Sequence, residues 1–268
     1  MLVRSGDADI FYTVMGQGPD VVLLHPFPVT HAFWLPVAKK LSLRYRLILP
    51  DLRGHGASAI GDGSALMSKH AADVAAICKD AGVTRAVFGG VSIGGYVLFE
   101  FWRTYRAAGP ADVRALMLCN TKASDDTPVA RTTRLQAADD ILKHGPDPFL
   151  DATMPKLVGE TTRRNRPDVA TQLRRMMQQP AANLSALQRG MADRPDSMPM
   201  LPTIDVPTLI LAGDEDTTTP VADAQAMQQR ISESVLQVVP QAGHYAVHEK
   251  ADDAHRIIRG FLDGLAPG

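Results

Sequence analysis

Short, continuous apolar runs alternate with helical stripes over the first 121 residues. "DADIFYTVMGQG" (7–18) closes on glycine and predicts an early strand or hairpin. "DVVLLHP" (20–26) and "YRLILP" (45–50) are unbroken apolar runs, the pattern of strands buried on both faces of a parallel sheet. The second leads into a glycine-punctuated loop, "DLRGHGAS". "MSKHAADVAAICKDAG" (67–82) carries apolar residues at helical spacing, with Ser68 in position to cap it and Gly82 to end it. "RAVFGGVS" (85–92) is a strand, "IGGYVLFEFWRTYRAAG" (93–109) a helix with little polar surface, and "VRALMLCNT" (113–121) the next strand. This alternation predicts an α/β class fold built on a mostly parallel, doubly wound sheet.

The pattern changes from Lys122 to Pro202. No strand-like run occurs there, and helical stripes replace them: Leu135, Ala138, Ile141 and Leu142; Val169, Leu173, Met176 and Met177; Leu184, Leu187 and Met191. Pro128, Pro146, Pro155, Pro167, Pro180 and Pro195 punctuate the stripes. Strands resume at "VPTLILAGDED" (206–216) and "SVLQVVPQAG" (234–243), and "DDAHRIIRGFLDGL" (252–265) is a closing helix. Residues 1–121 and 203–268 therefore read as one core, with 122–202 a helical cap or lid inserted after the sixth strand.

Composition narrows the class of partner. The chain has 268 residues, 45% hydrophobic and 21% charged, with a formal net charge of -1. That balance offers no basic excess for nucleic acid or anionic membrane. No apolar run reaches transmembrane length, and "MLVRSGDADIF" lacks the apolar centre of a signal peptide. Cys78 and Cys119 both sit in apolar surroundings and read as buried free thiols of a cytoplasmic, reducing compartment. Two cysteines argue against a disulfide framework and a cysteine-based metal site.

Gly90-Val91-Ser92-Ile93-Gly94 fits G-x-S-x-G at a strand-to-helix junction. In a nucleophile elbow, such a serine sits on a strained turn, and small flanking residues let strand and helix approach. The five-residue pattern arises by chance in about one such sequence in fifteen, so its junction placement carries the reading. A serine nucleophile needs a base, and the base an orienting carboxylate, in the chain order serine, acid, histidine. "AGDEDTTTP" offers Asp214, Glu215 and Asp216 after one late strand, and "QAGHYAVHE" offers His244 after the next. Backbone N–H donors for an oxyanion come from Ile93, beside the serine, and from the loop "LLHPFPVTHAFW". Pro26 and Pro28 have no N–H, which leaves Phe27. His25 precedes the serine and reads as a structural residue tying that loop down.

"HPFP", "DLRGHGAS", "GGVSIGG", "GDEDTTTP" and "AGHYAVHE" together resemble the α/β-hydrolase family over nearly the whole chain. "LCNTKASDDTPVAR" and "GMADRPDS" resemble the bacterial carboxylesterases related to 3-oxoadipate enol-lactonases. The resemblance implies an α/β-hydrolase sheet and a Ser–His–Asp hydrolase of small esters needing no cofactor or metal. In the family's G-x-x-D-x-x-x-P pattern, Gly213 and Pro220 flank Asp216, which favours it over Asp214. Two departures stand out: Pro26 replaces a frequent glycine, and "HEKADD" replaces a frequent E-x-P. Serine at the elbow leaves esters, lactones, thioesters, activated amides, C–C bonds β to a carbonyl, and perhydrolysis. The alternatives to a short-chain carboxylesterase are an enol-lactonase-type lactonase, a perhydrolase or C–C hydrolase, and a ligand-binding receptor. Met154, Met176, Met177, Leu184 and Met191 are expected to line an acyl pocket. Arg131, Arg134, Arg163, Arg164, Arg166, Arg174 and Arg175 read as solvated helix faces. The expected state is a monomer or small homo-oligomer.

Overall fold

The computed structural model describes residues 1–265, so the last three residues of the 203–268 segment lie outside it. Eight strands form one sheet: β1 (Leu2–Ser5), β2 (Ala8–Met15), β3 (Asp20–Leu24), β4 (Arg46–Pro50), β5 (Arg85–Val91), β6 (Asp112–Cys119), β7 (Thr208–Gly213) and β8 (Ser234–Val239). Their order is β1-β2-β4-β3-β5-β6-β7-β8. The early segment is a hairpin, with Ser5 opposite Ala8 across a turn that holds Gly6 at φ +56°. β2 then joins β4 antiparallel, and every later pairing is parallel. The unbroken apolar runs become the central strands; all six residues of β7 are buried. β8 forms the far edge and leaves Val235 and Val238 exposed.

The flanking helices of the core are α1 (Leu35–Leu41), α2 (Met67–Asp80) and α3 (Ile93–Tyr105). Nine residues of α3 are buried, as its sparse polar surface predicts. Ser68 does not cap α2. Leu66 occupies the cap position without a side-chain hydrogen bond, and the helix starts at the buried Met67. Burial of Met67 against the core sets the start where a cap was expected to. The C-terminal end follows expectation, with Gly82 at φ +65° just beyond Ala81.

Five helices lie between β6 and β7: α4 (Pro128–His144), α5 (Pro146–Leu157), α6 (Glu160–Asn165), α7 (Pro167–Met176) and α8 (Ala181–Ala192). Pro128, Pro146 and Pro167 open their helices, where the missing N–H costs nothing. Leu142 departs from the expected stripe and is 56% exposed, while Ala138 and Ile141 are fully buried. After β7 come α9 (Val221–Gln228), α10 (Ala246–Glu249) and α11 (Ala251–Gly264). α1 packs on α11 and α2 on α3. Cys78 and Cys119 are buried free thiols whose pKa burial pushes up to about 12. Among the described residues, no helix is long and apolar enough to cross a membrane.

Candidate active site

β5 ends one residue before Ser92, and α3 begins one residue after it. Ser92 takes φ 54° and ψ -115°, a strained conformation for a residue with a side chain. The turn is held from both sides. Ser92 N–H donates to the carbonyls of Cys119 and Asn120 at 3.1 Å each, and Thr121 Oγ1 donates to the Ser92 carbonyl at 2.8 Å. A Cβ on Gly90 would lie 2.4 Å from the Gly94 carbonyl carbon, so strand and helix meet only because both residues are bare. A Cβ on Gly94 would lie 2.7 Å from the Leu24 carbonyl oxygen, where β3 enters the first loop.

Asp216 and His244 are brought together at the ends of β7 and β8. Asp216 Oδ2 lies 2.8 Å from His244 Nδ1, and both side chains are buried. Asp216 Oδ1 accepts the N–H groups of Thr218 at 2.8 Å and Thr219 at 2.9 Å. Asp216 Oδ2 also accepts Thr219 Oγ1 at 2.7 Å and Asn120 Nδ2 at 2.9 Å. Burial works to raise the Asp216 pKa, but His244 and these donors outweigh it and hold it down at about 2. An ionised carboxylate only accepts, so Nδ1 carries the imidazole hydrogen and Nε2 is left as a base. Asp214 is placed differently: its Oδ1 accepts the Ala242 N–H at 3.3 Å, and Glu215 accepts the Thr161 N–H at 2.9 Å.

Phe27 begins a tight turn after His25-Pro26. Among the described residues, the N–H groups of Phe27 and Ile93 have no protein acceptor, although both residues are buried. His25 is fully buried; its Nε2 accepts the Leu52 N–H at 2.8 Å, and its Nδ1 donates to the Pro26 carbonyl at 2.9 Å. That pairing ties the loop after β3 to the loop after β4. Tyr245 adds a second tie, its hydroxyl donating to the Phe27 carbonyl at 2.8 Å. Asn120, Thr219 and Tyr245 were not singled out by the sequence reading, although Asn120 and Tyr245 sit at a strand end and beside His244, where such a signal is available.

Ser92 and His244 open on one cavity of about 310 Å³, shared with Phe27, Tyr96, Phe149 and Leu157. Of the residues expected on its apolar wall, only Met191 is there. Met177 and Leu184 are fully buried in the protein core, and Met154 and Met176 pack against it. Among the arginines read as solvated, Arg134 lines the cavity, as does Lys156. Arg134 reaches inward because Asp126 takes its Nε at 2.6 Å, and Asp126 also pairs with buried Arg194 at 2.9 Å. Burial opposes the charge on Asp126, but the two guanidinium groups hold its carboxyl below the usual range. Arg194 in turn lies 4.4 Å from the centre of the Tyr96 ring. Among the described residues, no group of three or more His, Cys, Asp or Glu side chains is arranged to hold a metal ion.

A family model for the alpha/beta hydrolase fold matches residues 19–251. The 3-oxoadipate enol-lactonase 1 of Acinetobacter baylyi is 26% identical over 251 residues, covering 93% of this chain and 90% of that protein. The pimeloyl-(acyl-carrier protein) methyl ester esterase of Xanthomonas campestris is 30% identical over 260 residues, covering 94% and 98%. A thermophilic esterase from Thermogutta terrifontis, solved with malate bound, has a TM-score of 0.94 at 34% identity, covering 100% of this chain and 99% of that one.

Proposed function

The chain belongs to the alpha/beta hydrolase family, and on that footing we propose that it is a serine carboxylesterase acting on small, short-chain carboxylic esters. The observation that carries the proposal is the buried Asp216–His244 pair at 2.8 Å, opening on the same cavity as a serine held at φ 54°. Ser92 Oγ attacks the ester carbonyl while His244 Nε2 takes its proton. His244 then returns that proton to the departing alcohol, and a water molecule activated by the same imidazole cleaves the acyl-enzyme. Asp216 holds the tautomer in which Nε2 is free and steadies the imidazolium that forms. The N–H groups of Phe27 and Ile93 receive the developing oxyanion, with the positive end of α3 behind Ile93. Residues 122–202 act as a cap that closes the cavity from above and shapes it to the acyl group.

A lactonase reading shares the same chemistry, and a separate observation favours it. Arg134 and Lys156 on the cavity wall suit a substrate carrying a carboxylate, as an opened or closed oxo-acid lactone does. The deciding experiment is hydrolysis of p-nitrophenyl acetate and butyrate beside a panel of neutral and anionic lactones. Wild type should turn over the esters, and Ser92→Ala should abolish that rate. Ester turnover that survives Ser92→Ala, or none at all in the wild type, overturns the esterase proposal. A rate confined to anionic lactones selects the second reading.

A further inference from the structure

A second cavity of about 320 Å³ lies between α4 and α5, lined by Ile141, His144, Gly145 and Pro148 among others. Ala137 and Phe149 line both this cavity and the one that holds Ser92 and His244. The two cavities therefore adjoin at these two residues, and Phe149 is the bulky one of the pair. Ala137 has no side chain beyond Cβ to withdraw. Phe149 is half-buried near the start of α5, and its ring meets the Phe27 ring edge-on with centroids 6.2 Å apart. It thus stands opposite the loop whose N–H is assigned to the oxyanion. Asp140 and His144 are exposed and put the outer mouth of the second cavity in solvent.

We propose that Phe149 limits acyl-chain length, and that the α4–α5 cavity is a second acyl compartment into which a longer chain extends when that ring is absent or turned aside. The inference rests on the esterase reading for its kinetic arm. At about 30 Å³ for each water-sized group, the catalytic cavity holds about ten such groups, a short acyl chain and part of its leaving alcohol. The adjoining cavity holds about as many again. A medium-chain acyl group of about ten carbons is therefore the substrate class that needs both, and Phe149 stands in its path. Each methylene newly buried there is worth about a fourfold gain in kcat/KM, so two suffice for tenfold.

The test compares kcat/KM for p-nitrophenyl butyrate and decanoate in wild type, Phe149→Ala, the milder Phe149→Leu, and Phe149→Ala/His144→Trp. The decanoate-to-butyrate ratio should rise about tenfold or more in Phe149→Ala and less in Phe149→Leu. It should fall back when His144→Trp fills the second compartment. An unchanged ratio, or equal loss on both esters, overturns the proposal, while the Ser92-dependence of ester turnover in the wild type tests the esterase reading separately. A second readout needs no turnover: calorimetric binding of decanoate and butyrate to the Ser92→Ala protein with and without Phe149→Ala. Decanoate should tighten about tenfold and butyrate should not. Equal changes for both acids refute the compartment even if the protein hydrolyses no ester.

Discussion

Glu249 joins two parts of the molecule that the chain separates widely. Its Oε2 accepts the Gly159 N–H at 2.9 Å, just ahead of α6, and its Oε1 accepts the Gly243 N–H at 3.1 Å, just ahead of His244. The two glycines are in backbone contact; a Cβ on Gly243 would lie 2.2 Å from the Gly159 nitrogen. Burial pushes the Glu249 carboxyl above its usual range, against the hydrogen bonds from Thr162, Gly243 and Gly159 that favour its charge. Glu249→Ala leaves two interior N–H groups without an acceptor, at about 1–3 kcal/mol each. Relief of the buried charge offsets part of that, which puts the net loss at about 2–4 kcal/mol. Glu249→Gln keeps the shape and one accepting oxygen, so it should lose about half as much. Activity should fall with stability, because the Gly243 carbonyl accepts Asn120 Nδ2 at 3.2 Å and the same amide donates to Asp216. We expect kcat for a butyrate ester to drop about tenfold in Glu249→Ala with a smaller change in KM. Urea denaturation and steady-state kinetics read both quantities. A Glu249→Ala protein within about 0.5 kcal/mol of wild type and with unchanged kcat would refute the reasoning.

The two candidate aspartates should separate clearly. Asp216→Asn places an amide among five donors and allows the wrong imidazole tautomer, so kcat should fall by about three to four orders of magnitude. Asp214→Asn keeps the oxygen that accepts its single 3.3 Å contact and should stay within about twofold; comparable losses in both would remove Asp216 from its assigned role. Stability should also fall on mild acidification. Burial pushes His25 down to about 4 and His70 down to about 3, so both are neutral in the fold and protonate first in the unfolded chain. The unfolded state then binds more protons below about pH 6.5, and stability drops by about 1.4 kcal/mol per pH unit for each histidine as pH falls toward about 4. The Asp216 contribution has the same sign but starts lower, being lost as pH falls from about 4 toward its pKa of about 2. Denaturation midpoints that hold constant from pH 7.5 to 5 would contradict the histidine argument.

The strand–helix junction at Ser92 was legible because glycine spacing reports a steric fact: Gly90 and Gly94 are in contact, and side chains there would collide. The central strands were legible for a similar reason, since burial on both faces leaves no polar position to show. Asp216 was favoured over Asp214 only through the G-x-x-D-x-x-x-P spacing of the family the chain resembles; residue types alone left both open. What distinguishes them is the set of donors supplied by Asn120 and Thr219, and Asn120 is 96 residues away in the chain. The cavity wall was the least legible part. Periodicity marked Met177 and Leu184 as inward-facing, and they are, but it does not say whether a buried face meets a ligand or another helix. Phe149 and Leu157 fell outside the stripes and form the wall instead. Arg134 was read as a solvated face because the acidic partner that turns it inward, Asp126, lies in the loop before its helix.

Eleven of the sixteen residues around the cavity that Ser92 and His244 share come from positions 126–191, whereas Ser92, Asp216 and His244 all sit on loops of the sheet. On the proposed reading, chemistry and selectivity are carried by separate parts of the chain. Random mutagenesis selected for a new acyl group should gather its changes in the inserted helices, and a lineage can wander among substrates there while its reaction stays the same. Kinship in the sheet therefore foretells how a bond is broken in such proteins, and says much less about which molecule carries it.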